Sequence, residues 1–167
     1  MVEWLILATG PSMSQSIADS LVGNKTIVVS DAFRLAPWAN ALVSQDRKWW
    51  DANPDAHEFV GPKYTTGIVE GVLKMDCRQW HSLLGTHTNS GLAACCLAQS
   101  FGATRIKLYG FDMHGSHFFG EHKAPLMNTT PERFKSMIQQ FKDWNHQGIQ
   151  VINMTPGSAL DWFEKGY

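Results

Sequence analysis

The sequence predicts an α/β fold, a single-domain, doubly wound and mostly parallel sheet with helices on both faces. Three observations predict it. The apolar runs WLILATG and TIVVS are short and continuous rather than alternating, as strands buried on both faces are. Helical stretches alternate with such runs along much of the chain, which is the order of a parallel sheet. At 167 residues the chain fits one domain, 1–167, large enough to bury its own core.

The elements follow in order. WLILATG (4–10) reads as a strand that Gly10 ends. PSMSQSIADSLVG (11–23) has helical periodicity, with Ser12 or Ser14 as N-cap and Gly23 as stop. TIVVS (26–30) is the second strand and ANALVSQD (39–46) the third. Residues 51–63 carry Pro54, Gly61 and Pro62 and read as a loop. TTGIVEGVLKM (65–75) reads as a strand with a turn. SGLAACCLAQSFG (90–102) is apolar all round, a helix for burial between layers, with Gly102 at its end. TRIKLYGFD (104–112) is the fifth strand. TPERFKSMIQQFKDWNHQG (130–148) is amphipathic, with Thr130 as N-cap, Pro131 in the first turn and Gly148 as stop. IQVINMT (149–155) is the last strand and SALDWF (158–163) a short terminal helix.

Composition narrows the partners. A net charge of −1 with no Lys/Arg run gives no basic field for nucleic acid. The first apolar run is too short to span a membrane and lacks a signal peptide's basic flank, so the expected location is the cytoplasm. Cys77, Cys95 and Cys96 form no CxxC pair, which argues against a disulfide framework or zinc knuckle. Cys95 and Cys96 read as small buried hydrophobes. Large tryptophans such as Trp38, Trp49 and Trp50 suit stacking or an oligomer interface, with core packing the commoner role.

In a parallel sheet, ligands bind at the carboxyl ends of the strands. After the first strand, Gly10, Pro11 and Ser12 make a sharp turn into a helix, which suits either an anion such as a nucleotide phosphate or a plain tight turn. Asp31 and Asp46 end the second and third strands. Together they could hold ribose hydroxyls, a base amino group or a divalent metal; singly, each fits a helix cap. Asn89, Ser90 and Gly91 open the apolar helix, where an N-cap is needed in any case and a glycine permits close approach.

The fifth strand delivers Asp112 and the stretch GFDMHGSHFFGEH. His114, His117 and His122 lack helical spacing, and Gly115 and Gly120 make the segment a loop. A metal site would need three or four of these groups to converge. A general base needs only one imidazole in the cleft, at a pKa near neutrality. Phe118 and Phe119 call for burial and would hold the loop down.

SDAFRLAPWANALVSQDRKWW, TNSGLAACCLAQSFGATRIKLYGFDM, HFFGEH and INMTPGSALDWF resemble a family of small bacteriophage and prophage proteins over nearly the whole chain. A more distant likeness is to the Rossmann-like glycosyltransferase family 42 sialyltransferases, and to archaeal 6-hydroxymethylpterin pyrophosphokinase-like proteins. The likeness lies in the GPS turn, the polar strand ends, the SG-headed helix and the G-F-D strand end. It implies a sialyltransferase-like fold with Gly10, Pro11 and Ser12 on the donor phosphates. It further implies Asp31, Asp46, Asn89, Ser90, Gly91 and Ser158 around the nucleotide, and His117 or His122 as the base. Aspartates stand at 31 and 46 where the sialyltransferases carry asparagines, which puts CMP in doubt and suits another base or a metal-bound nucleotide.

Three functions fit. The first is a transferase using a nucleotide or nucleotide-sugar, CMP-type or ATP-type, with His117 or His122 as base and Asp112 as a further catalytic residue, in the host cytoplasm if phage-encoded. The second is a pyrophosphokinase-like phosphoryl transferase with Mg–ATP on Asp31, Asp46 or Asp112. The third is a non-catalytic module that binds a nucleotide. Each has a small-molecule nucleotide as partner and is compatible with a homo-oligomer.

Overall fold

A computed structural model describes residues 1–80 and 89–167. Eight strands form one sheet in the order β5-β4-β3-β2-β1-β6-β7-β8, and every neighbouring pair is parallel. They are β1 (Glu3–Leu7), β2 (Thr26–Val29), β3 (Ala41–Val43), β4 (Lys63–Thr65), β5 (Leu73–Lys74), β6 (Arg105–Tyr109), β7 (Gln150–Asn153) and β8 (Glu164–Lys165). The chain winds outward from β1 to β5, crosses back to lay β6 beside β1, and then winds outward again to β8. The order therefore reverses between β1 and β6.

Strand registers carry the apolar runs into two cores. Ile6 sits between Ile27 on β2 and Leu108 on β6. Their side chains join one core with α3 (Ser90–Ser100) and with Phe141 and Trp144 at the end of α4 (Pro131–Asp143). Leu5, Leu7, Val28 and Leu42 point to the opposite face, against α1 (Gln15–Ser20) and α2 (Arg47–Ala52). Helices thus cover both faces. The doubly wound α/β architecture expected from the continuous apolar runs is the one found. Leu92 through Ala98 of α3 are all buried, as its all-round apolar sequence demands. Cys77, Cys95 and Cys96 are buried free thiols.

Several boundaries differ from the sequence reading, each for a local reason. The first helix starts at Gln15 under a Ser14 cap, because Ser12 is engaged elsewhere. The third strand is only Ala41–Val43, since Asp46 caps α2 through the Lys48 N–H at 2.9 Å. Segment 51–63, expected as loop, holds the end of α2 and a 3-10 turn at Pro54–Glu58. Segment 65–75 shares two strands with its surroundings, β4 and β5. Helix α4 ends at Asp143 instead of running to 148. Buried Trp144 adopts an extended backbone there, and its indole N–H donates to Gln99 Oε1. The terminal helix at 158–163 does not form; the chain turns and supplies the edge strand β8, held by the Asn153 side-chain N–H on the Leu160 carbonyl. Among the described residues, no helix is long and apolar enough to cross a membrane.

Candidate functional site

A cleft of about 340 Å³ opens at the carboxyl ends of β1, β2, β3 and β6, where the strand order reverses. Neighbouring strands feed connections to opposite sides at such a point, so a crevice is left between them. The β6–α4 connection and the first turns of α3 and α4 complete its walls. Two non-glycine residues on it, Ser30 and Met113, hold left-handed backbone (φ 46° and 59°). Each such residue costs on the order of 1–3 kcal/mol, and such residues gather at functional sites.

The expected phosphate turn is already occupied by protein. The Gly10 N–H donates to the Gly110 carbonyl at 2.9 Å. Pro11 has no N–H, and the Ser12 N–H and hydroxyl both point at Asp112 Oδ2, at 3.4 and 2.8 Å. A Cβ at Gly10 would lie 1.9 Å from Asp112 Oδ2, so this glycine serves the packing of β1's end against β6's. Gly10 lines the cleft, whereas Pro11, Ser12 and Asp112 do not.

Asp31 and Asp46 both line the cleft but differ in their ties. Asp31 is buried and accepts the Trp49 indole N–H at 2.9 Å and the Arg34 guanidinium at 3.4 Å. Asp46 is the α2 cap, the commoner role for an aspartate before a helix. The Trp49–Trp50 pair behind them is core, with the Trp50 indole on the Ser44 carbonyl.

Asn89 caps α3 by accepting the Leu92 N–H at 3.1 Å, and its own N–H donates to Gln45 Oε1. The Ser90 hydroxyl accepts the Gln45 N–H at 2.9 Å, tying the start of α3 to the end of β3. Gly91 is close-packed, since a Cβ there would meet the Phe111 ring at 2.9 Å. All three face the cleft. Ser158 does not; its hydroxyl donates to the Phe111 carbonyl and accepts the Leu160 N–H, fastening the turn after β7.

The histidine loop divides its work. His114 Nε2 donates to the Gly157 carbonyl at 3.0 Å. His117 and His122 lie 4.5 Å apart between ring centroids, and Phe119 stacks on His117 at 4.8 Å with the rings nearly parallel. His117 Nδ1 lies 3.0 Å from Thr9 Oγ1 at the end of β1. Burial pushes the His117 pKa below its usual value and the neighbouring His122 adds to that, while Asp31 and a hydrogen bond to the Thr9 backbone oppose it. The imidazole therefore keeps a free lone pair at neutral pH, as a base requires. Among the described residues, no three His, Cys, Asp or Glu side chains gather as a metal site.

No protein-family model, curated protein or solved structure matches the chain.

Sequence reasoning missed the cations and the apolar wall. Lys48 lines the cleft beyond Asp46, and Arg133 reaches it from the first turn of α4. Met127, Phe134 and Met137 supply an apolar side. An amphipathic helix reads as a core-facing element. Only the polar first turn TPERF, beyond the buried stripe, hinted at another use.

Proposed function

We propose that the chain is a nucleotide- or nucleotide-sugar-dependent transferase whose general base is His117. The observation that carries this reading is the His117–Thr9 contact beside His122, inside the cleft at the sheet's switch point. Imidazole is suited to proton transfer near neutrality, and the Thr9 hydroxyl holds its Nδ1 so that Nε2 is the nitrogen left for an acceptor.

In the step proposed, the acceptor hydroxyl gives its proton to His117. Its oxygen then bonds to the donor's transferred carbon, and the nucleoside phosphate leaves with the bonding pair. The His122 ring, which lines the cleft beside His117, offers a face for a sugar or base. Asp31 and Asp112 are committed to Trp49 and Ser12, which gives the Mg–ATP alternative less to stand on than the histidine route.

The test is nucleotide release from CMP-sugar and other nucleotide-sugar donors, with calorimetry of nucleotide binding alongside. His117→Ala is expected to lower turnover roughly 10²–10⁴-fold, the usual worth of a positioned base, with nucleotide affinity intact. Unchanged turnover in His117→Ala overturns the mechanism. Stoichiometric binding with no turnover by the wild type would favour a non-catalytic module.

A further inference from the structure

Arg133 is the least satisfied polar side chain in the cleft. Its Nε is buried and has no hydrogen-bond partner among the described residues, and no carboxylate there pairs with the guanidinium. A buried donor left unmade loses its hydration without compensation, so such a group calls for an acceptor. The planar fork of a guanidinium, always charged, matches the paired oxygens of a phosphate.

Two further features point to the same place. The N-terminus of α3, a helix of eleven residues, opens on the cleft through Ser90 and Gly91. Their N–H groups have no acceptor among the described residues, while Asn89 satisfies Leu92. Backbone donors at a helix start carry partial positive charge. Lys48, without an ion pair among the described residues, adds a second cation on the α2 side. By contrast, the Gly10–Ser12 turn spends its donors on Gly110 and Asp112.

We propose that Arg133, with the α3 N-terminus and Lys48, binds a phosphate of the ligand, and that this phosphate lies on the α3/α4 side of the cleft rather than over Gly10–Ser12. The inference rests on the nucleotide reading only for what carries the phosphate. In a transfer reaction, the charge that the departing nucleoside phosphate gains is then offset by a fixed guanidinium.

The experiment is calorimetry of inorganic pyrophosphate, of CMP, UMP, AMP and GMP, and of the matching nucleosides with wild type, Arg133→Met, Arg133→Lys and Lys48→Met, at low and high salt. Unfolding midpoints near wild type establish that the variants fold. Arg133→Met is expected to weaken pyrophosphate and the nucleotide that binds about 10–100-fold, the worth of a charge-assisted hydrogen bond, and to leave the matching nucleoside unchanged. Arg133→Lys should keep part of the affinity, and Lys48→Met should lower it with a reduced salt dependence. Pyrophosphate bound through Arg133 while every nucleotide and nucleoside is ignored upholds the phosphate site and overturns the nucleotide reading. A nucleotide bound equally by wild type and Arg133→Met overturns the phosphate site and leaves the nucleotide reading standing. A wild type that binds none of the nucleotides and no pyrophosphate overturns both.

Discussion

The Ser12 hydroxyl donates to Asp112 Oδ2 over 2.8 Å, joining the turn after β1 to the end of β6 at the sheet's switch point. The same carboxylate accepts the Ser12 N–H, and the Asp112 carbonyl accepts the Ala159 N–H. Asp112 thus ties three connections together from a buried position. In the sequence it reads as a catalytic or metal-holding carboxylate; its partners make it a positioning residue that keeps β1 and β6 at the spacing the cleft needs.

That role predicts the response to substitution. Asp112→Ala leaves a part-buried hydroxyl and N–H without their acceptor, at about 1–3 kcal/mol. Asp112→Asn keeps a side-chain oxygen for Ser12 and should cost less. Urea denaturation of the two variants measures the difference. Asn retaining wild-type stability while abolishing turnover would instead return the carboxylate to a direct catalytic part.

The fold was readable because β1 and β2 are continuous apolar runs and α3 is apolar on nearly every side. Both are consequences of burial on two faces, and both survive without knowledge of any neighbour. The site was readable to the extent that a parallel sheet puts function at strand ends. Asp31, Asp46, Asn89, Ser90, Gly91, His117 and His122 do meet there. Ser12, Asp112 and Ser158 stand outside the cleft lining, because a short polar side chain at a strand end can equally serve a neighbouring loop. Which it does depends on contacts across about a hundred residues of sequence, as between Ser12 and Asp112. Arg133 was missed for the converse reason. Nothing local marks a helix-surface arginine as lacking a carboxylate partner.

His122 sits where its charge bears on His117, which sets a pH dependence with a definite sign. Burial first, and His122 second, hold the His117 pKa below its usual value near 6.5. A base works only when neutral, so activity is retained above that range and lost as the pH falls through the folded His117 pKa. His122→Gln removes one of the two causes of the depression. The acid limb of the kcat/KM profile should therefore move to higher pH, though still held down by burial. A limb that stays in place or moves to lower pH would show that His117 is not the titrating base.

Thr9 offers a narrower test of the same base. For His117 Nε2 to accept a proton, Nδ1 must carry one, and Thr9 Oγ1 at 3.0 Å is its acceptor. Thr9→Val is nearly isosteric and removes only that acceptor. The lost hydrogen bond is worth about 1 kcal/mol, or roughly five-fold in turnover, much less than deletion of the imidazole. The hydrogen bond that raises the His117 pKa is to the Thr9 backbone and survives the substitution, so the acid limb should stay where burial and His122 set it, unlike in His122→Gln. Thr9→Ser, which restores a hydroxyl, should recover the rate. A purely packing role for Thr9 predicts the reverse order, with Val tolerated and Ser impaired.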